Sequence, residues 1–79
     1  MNGKPIQVFV SDGCQECNQL VTFLEEYNVP FHLINTSENR DNLEKLQENG
    51  LYLTPAVIVS KHCRLLGFQR NKLKEVLGL

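Results

Sequence analysis

Two cysteines, Cys14 and Cys17, stand in the stretch VFVSDGCQECNQL (8–20) at Cys-x-x-Cys spacing. A pair so spaced can clamp a metal, staple a loop, or open and close as a reactive dithiol. Residues i and i+3 of a helix lie about 5–6 Å apart at Cβ. A small adjustment brings two such cysteines within disulfide geometry. The residues before the pair read as a strand and those after it as a helix, so Cys14 falls at or just before the first helical turn. Unpaired backbone N–H groups and the positive end of the helix dipole favour a thiolate there. Gly13 leaves the approach to Cys14 uncrowded.

The other two readings are weaker on chemistry. Zinc asks for about four ligands. Beyond the pair, the sequence offers Cys63 with His62, and His32. Adjacent His62 and Cys63 point to opposite sides if they lie on a strand. No metal site and no cofactor are expected. A purely structural disulfide would close a loop of a few residues and stabilise little. A redox-active dithiol is therefore the leading reading. A metal-holding module (zinc, or an iron–sulfur cluster shared between chains) and a redox-inert partner-binding domain remain the alternatives.

Composition narrows the setting. A chain of 79 residues is expected to form a single domain, residues 1–79, with a small core. Eight Lys and Arg against nine Asp and Glu leave a net charge of −1, which gives no footing for nucleic acid or an anionic membrane. No apolar run approaches the ~18 residues that span a bilayer. MNGKPIQVFVSDG lacks the apolar stretch and cleavage site of a signal peptide. An odd number of cysteines fits a disulfide-stapled secreted fold poorly. A cytoplasmic monomer is expected.

These residues must be positioned by elements, and the pattern supplies them. PIQVFV (5–10) is short, apolar and β-branched and predicts a buried strand. Leu20, Val21, Leu24 and Tyr27 recur at helical spacing and predict an amphipathic helix over 15–27, ended by the proline of NVP (28–30). FHLIN (31–35) reads as a second strand. TSENRDNLEKLQENG (36–50) predicts an exposed helix with Leu43 and Leu46 on one face and Gly50 at its end. PAVIVS (55–60) and CRLLGF (63–68) predict a hairpin turning at Lys61-His62. Leu73, Val76 and Leu77 mark a closing helix that stops at Gly78. The order β-α-β-α-β-β-α predicts an α/β fold. Its four-stranded mixed sheet carries helices on both faces, with a parallel right-handed first βαβ unit. Within it, Cys63 is expected to pack as a small core residue, and His32 and His62 to lie on the surface. Phe68 fits either the core or a docking aromatic.

Taken in order and spacing, VFVSDGCQEC, NVPFHLINTSEN, LTPAVIV and LLGFQRNKLKEVLGL resemble the glutaredoxins, of thioredoxin fold, over nearly the whole chain. Gly67-Phe68 followed by a polar stretch and Leu73 is most similar to the glutaredoxin-like redoxins that reduce ribonucleotide reductase and their small prokaryotic relatives. The resemblance implies a thiol–disulfide oxidoreductase acting on protein disulfides, with Cys14 as nucleophile and Cys17 as resolving thiol. It implies a cis Pro55 stacked against the dithiol, and a Thr54 backbone that takes a substrate chain as an extra strand. Gly67 and Phe68 complete the implied substrate site. This chain also departs from the usual pattern. Gln15-Glu16 replaces Pro-Tyr between the cysteines, and Asp12 stands where a lysine is often nearby. Gly67-Phe68 and Gln69-Arg70-Asn71 replace the Gly-Gly and acidic pair of glutathione-binding members. Lys61 and Arg64 lie towards the hairpin turn, which leaves Arg70 as the cation within reach. A thioredoxin-reductase-like flavoprotein or another protein dithiol is therefore expected as reductant, rather than glutathione.

Overall fold

Along the first strand Ile6, Val8 and Val10 point to one side and Phe9 to the other, and all four are buried. A strand apolar on both sides needs cover on both faces, and the fold provides it. The computed structural model describes residues 5–79, so the part of the targeting expectation that rests on residues 1–4 lies outside the described residues. The elements are β1 (Ile6–Val10), α1 (Gln15–Glu26), β2 (Phe31–Asn35), α2 (Arg40–Glu48), β3 (Ala56–Ser60), β4 (Cys63–Leu66) and α3 (Arg70–Leu77). The sheet order is β2-β1-β3-β4. β1 pairs parallel to β2 and antiparallel to β3, and β3 pairs antiparallel to β4. This is the expected mixed sheet.

Two apolar clusters follow from strand alternation. On one face Ile6, Val8, Val10 and Val57 meet Leu20, Phe23 and Leu24 of α1 and Leu73 of α3. On the other face Phe9, Ile34 and Ala56 meet Leu46 of α2 and Leu51. The site sits at the end of the sheet where β1 runs into α1 and where β3 begins.

Two boundaries and one buried position differ from the sequence expectation. Residues 36–39 do not join the second helix. Thr36 Oγ1 donates to the Val10 carbonyl, and the Asn39 side chain accepts from the Asn42 N–H, which starts α2 at Arg40. Such side chains offer the backbone an alternative to helix. Leu43 is exposed, and Leu46 alone anchors α2 to the core. Lastly, β4 ends at Leu66, where Gly67 turns out of the strand at φ +76°.

Candidate active site

Cys14 is the N-cap of α1, in extended backbone, and its sulfur accepts the Cys17 N–H at 3.0 Å. The two sulfurs are joined as a disulfide, with Cα atoms 5.2 Å apart. Their access to solvent differs. Cys14 is half-buried, whereas Cys17 is 2% exposed and part of the core cluster. An incoming group meets Cys14 first.

Three loops converge around the pair, and each is tied to another by a single bond. The Ser11 and Thr54 hydroxyls are hydrogen-bonded at 2.6 Å, which joins the β1–α1 loop to the segment before β3. The Thr54–Pro55 peptide is cis, and Pro55 is buried. The Gly67 N–H donates to the Pro55 carbonyl at 2.7 Å, which brings in the β4–α3 loop. The next N–H, that of Phe68, donates to Glu16 Oε2 at 2.6 Å and returns the connection to the Cys-x-x-Cys segment. Gly67 is favoured at this junction by its φ of +76°, a left-handed conformation that L side chains rarely adopt. A Cβ there would also lie 2.9 Å from the same Glu16 oxygen, a contact that the Glu16 side chain could yield. Among the described residues, the backbone N–H and C=O of Thr54 make no hydrogen bond.

Phe68 settles between the two expectations for it. It is half-buried and packs against the core cluster, its ring edge-on to Phe23 with centroids 5.6 Å apart. The Arg70 guanidinium lies 5.3 Å above the Phe23 ring. Phe23, Phe68, Arg70 and Glu26 line a groove along the outer side of α1, beginning at Asn18 just past the dithiol.

The charges flanking the pair are already engaged. The Asp12 carboxylate accepts from Asn35 Nδ2 at 3.1 Å, and the Asp12 N–H donates to Ser37 Oγ. Glu16 faces the Phe68 N–H. Sequence reasoning placed both acids beside the cysteines but did not foresee these partners. It also missed Ser11, because a hydroxyl pair 43 residues apart leaves no local signal. One expectation is corrected. Cys63 is not a core residue: it is a free, half-buried thiol absent from both apolar clusters. It opens β4 opposite Ser60, at the other end of β3 from Pro55. Among the described residues no group of three or more His, Cys, Asp or Glu side chains is placed to hold a metal ion. His32 and His62 are both exposed, as expected.

The glutaredoxin family model matches residues 6–63, which take in the dithiol, Thr54 and Pro55. The chain belongs to the glutaredoxin family. It is 27% identical over 71 residues to the glutaredoxin-like protein NrdH of Lactococcus lactis, covering 90% of this chain and 97% of that protein. A crystal structure of a variant of a thioredoxin-like protein superimposes with a TM-score of 0.84 at 26% identity, over 91% of this chain and 97% of the other. The glutaredoxin-like NrdH-redoxin of Escherichia coli has the same fold, with a TM-score of 0.79 at 20% identity over 92% and 95% of the two chains. The fold is thus α/β and thioredoxin-like, and the chain is a glutaredoxin-family protein with similarity to NrdH proteins. Family and Cys-x-x-Cys pair together support a thiol–disulfide oxidoreductase.

Proposed function

We propose that this glutaredoxin reduces disulfides in protein substrates through Cys14 and Cys17, acting as a monomer in the reducing cytoplasm. The observation that carries the proposal is the unequal access of the two sulfurs at the N-terminus of α1. In the reduced form the Cys14 thiolate attacks one sulfur of the substrate disulfide. A mixed disulfide forms and the other substrate sulfur leaves as a thiolate. Cys17 then attacks the Cys14 sulfur, which closes the Cys14–Cys17 disulfide and releases the reduced substrate. Two electrons pass to the substrate, and a reductant must return them. The Cys17 N–H directed at the Cys14 sulfur and the helix N-terminus both stabilise negative charge on Cys14.

The substrate chain lies along Thr54, whose backbone groups, unpaired among the described residues, offer one acceptor and one donor to an added strand. Pro55, Gly67 and Phe68 form the adjoining surface. The reductant is a protein dithiol or a flavoprotein reductase. Glutathione has two carboxylates and one ammonium and needs donors to hold it. Arg70 is committed to the Phe23 face, and the Phe68 N–H is occupied by Glu16. A single exposed ion pair contributes about 0–1 kcal/mol, too little to hold a flexible tripeptide. The free third thiol, Cys63, is in keeping with a reducing compartment.

Insulin reduction tests the reading. Turnover driven by thioredoxin reductase and NADPH is compared with turnover driven by glutathione and glutathione reductase, for wild type, Cys14→Ser and Cys17→Ser. Wild type is expected to turn over with the flavoprotein and to run at background with glutathione, and Cys14→Ser to be inactive with both. Turnover that survives Cys14→Ser would remove the proposed nucleophile. Equal rates with the two reductants would remove the proposed choice of reductant.

A further inference from the structure

Glu16 lies inside the Cys-x-x-Cys segment, yet its carboxylate reaches a loop 52 residues away. It accepts the Phe68 N–H at 2.6 Å and lies 2.9 Å from where a Cβ on residue 67 would stand. The preceding N–H, that of Gly67, is held by the Pro55 carbonyl at 2.7 Å. Two consecutive amides of the β4–α3 loop are therefore pinned to the two other loops of the site, one to the cis-proline segment and one to the dithiol segment. Releasing the second pin leaves the Phe68 backbone free to turn away from α1. The Phe68 ring would move with it, off the edge of Phe23 and out of the groove that starts beside the dithiol.

We infer that Glu16 is a positioning residue for protein substrates: it holds Phe68 at the mouth of the groove, so that a macromolecular disulfide, unlike a small one, is recognised through this loop. The inference rests on the oxidoreductase reading and deepens it. A small disulfide needs access to Cys14 alone. A protein disulfide also has to lay its flanking chain across Thr54 and Phe68, so its KM carries the cost of a displaced loop. The carboxylate acts here as a hydrogen-bond acceptor, and an amide oxygen at the same position can replace it.

The test compares Glu16→Ala and Glu16→Gln with wild type on two probes, insulin and a small aromatic disulfide, and reads kcat and KM separately. A hydrogen bond to a charged acceptor contributes enough that its loss should lower the insulin-to-small-disulfide ratio of kcat/KM by about five- to tenfold in Glu16→Ala. The loss should fall on the insulin KM. Glu16→Gln should keep the ratio within about twofold of wild type, since an acceptor oxygen remains. Amide hydrogen exchange provides a readout independent of activity. The Phe68 N–H should exchange faster in Glu16→Ala than in wild type and stay protected in Glu16→Gln. An unchanged ratio in Glu16→Ala, a loss confined to kcat on both probes, or unchanged Phe68 exchange overturns the inference and leaves the oxidoreductase reading standing. A wild type that reduces neither probe overturns that reading, and this inference with it.

Discussion

At the scale of single residues, the site depends on a few bonds that cross long sequence distances. The Ser11–Thr54 hydroxyl pair is one of them, at 2.6 Å and partly buried. Removing either hydroxyl leaves the other with a broken bond in a half-dry place, at a cost of about 1 kcal/mol. Ser11→Ala and Thr54→Val should each lower the urea midpoint by a similar amount. The double variant should cost little more than either alone, because both singles remove the same bond. Fully additive losses would mean that the bond does not couple the two loops. Cys63 gives the opposite prediction. It stands at the far end of β3 from Pro55 and belongs to neither apolar cluster, so Cys63→Ser should leave insulin reduction within about twofold of wild type. A larger loss would place this third thiol in the chemistry.

At the scale of elements, helix α1 both carries the dithiol and is capped by it. Ordinary caps are oxygen side chains, and α2 has one in Asn39, whose side chain accepts the Asn42 N–H at 2.9 Å. Asn39→Ala should cost about 1 kcal/mol in chemical denaturation. Helix α3 differs, because Gln69 stands at its N-cap without a side-chain cap bond. Gln69→Asp, which supplies an acceptor at that place, should raise stability by about 0.5–1 kcal/mol. A midpoint unmoved or lowered by that change would contradict the cap assignment. The same elements show why some boundaries were legible and others were not. The strand VFV, the helix stripe Leu20–Leu24 and the Gly78 stop follow from periodicity and one left-handed glycine. The start of α2 did not, since Thr36, Ser37 and Asn39 are all plausible caps. The choice among them rests on Thr36 being held by the Val10 carbonyl of another strand. The bond between Glu16 and Phe68 was hidden for the same reason. Each residue type was evident, but their bond depends on a loop brought back by the whole sheet.

At the scale of the molecule, stability comes from the two apolar layers rather than from charge. Leu73 is fully buried and fixes α3 to the layer that also holds Cys17. Leu73→Ala should cost about 2–5 kcal/mol by transfer and cavity terms. In a chain of this size that is a large share of the total. Among the described residues the one salt bridge is Lys72–Glu75 at 3.6 Å, with side chains 55% and 73% exposed. Exposed pairs of this kind contribute little and are screened by salt. The thermal midpoint should therefore shift by no more than about 2 °C between low salt and 0.5 M sodium chloride, roughly the effect of a few tenths of a kcal/mol. A steeper fall would reveal an electrostatic contribution that this structure does not contain.

The central claim is that Cys14 attacks and Cys17 resolves. It is tested most directly by intact-mass spectrometry of reduced protein mixed with a disulfide-containing protein, in a Cys63→Ser background so that the dithiol supplies the only thiols. With Cys17 also changed to serine, the mixed disulfide has no resolving partner and should accumulate as a covalent adduct mapped to Cys14. With Cys14 changed to serine instead, the half-exposed nucleophile is gone, the remaining Cys17 is buried, and no adduct should form. An adduct that accumulates on Cys17 in the Cys14→Ser protein, with none on Cys14 in the Cys17→Ser protein, would contradict the account.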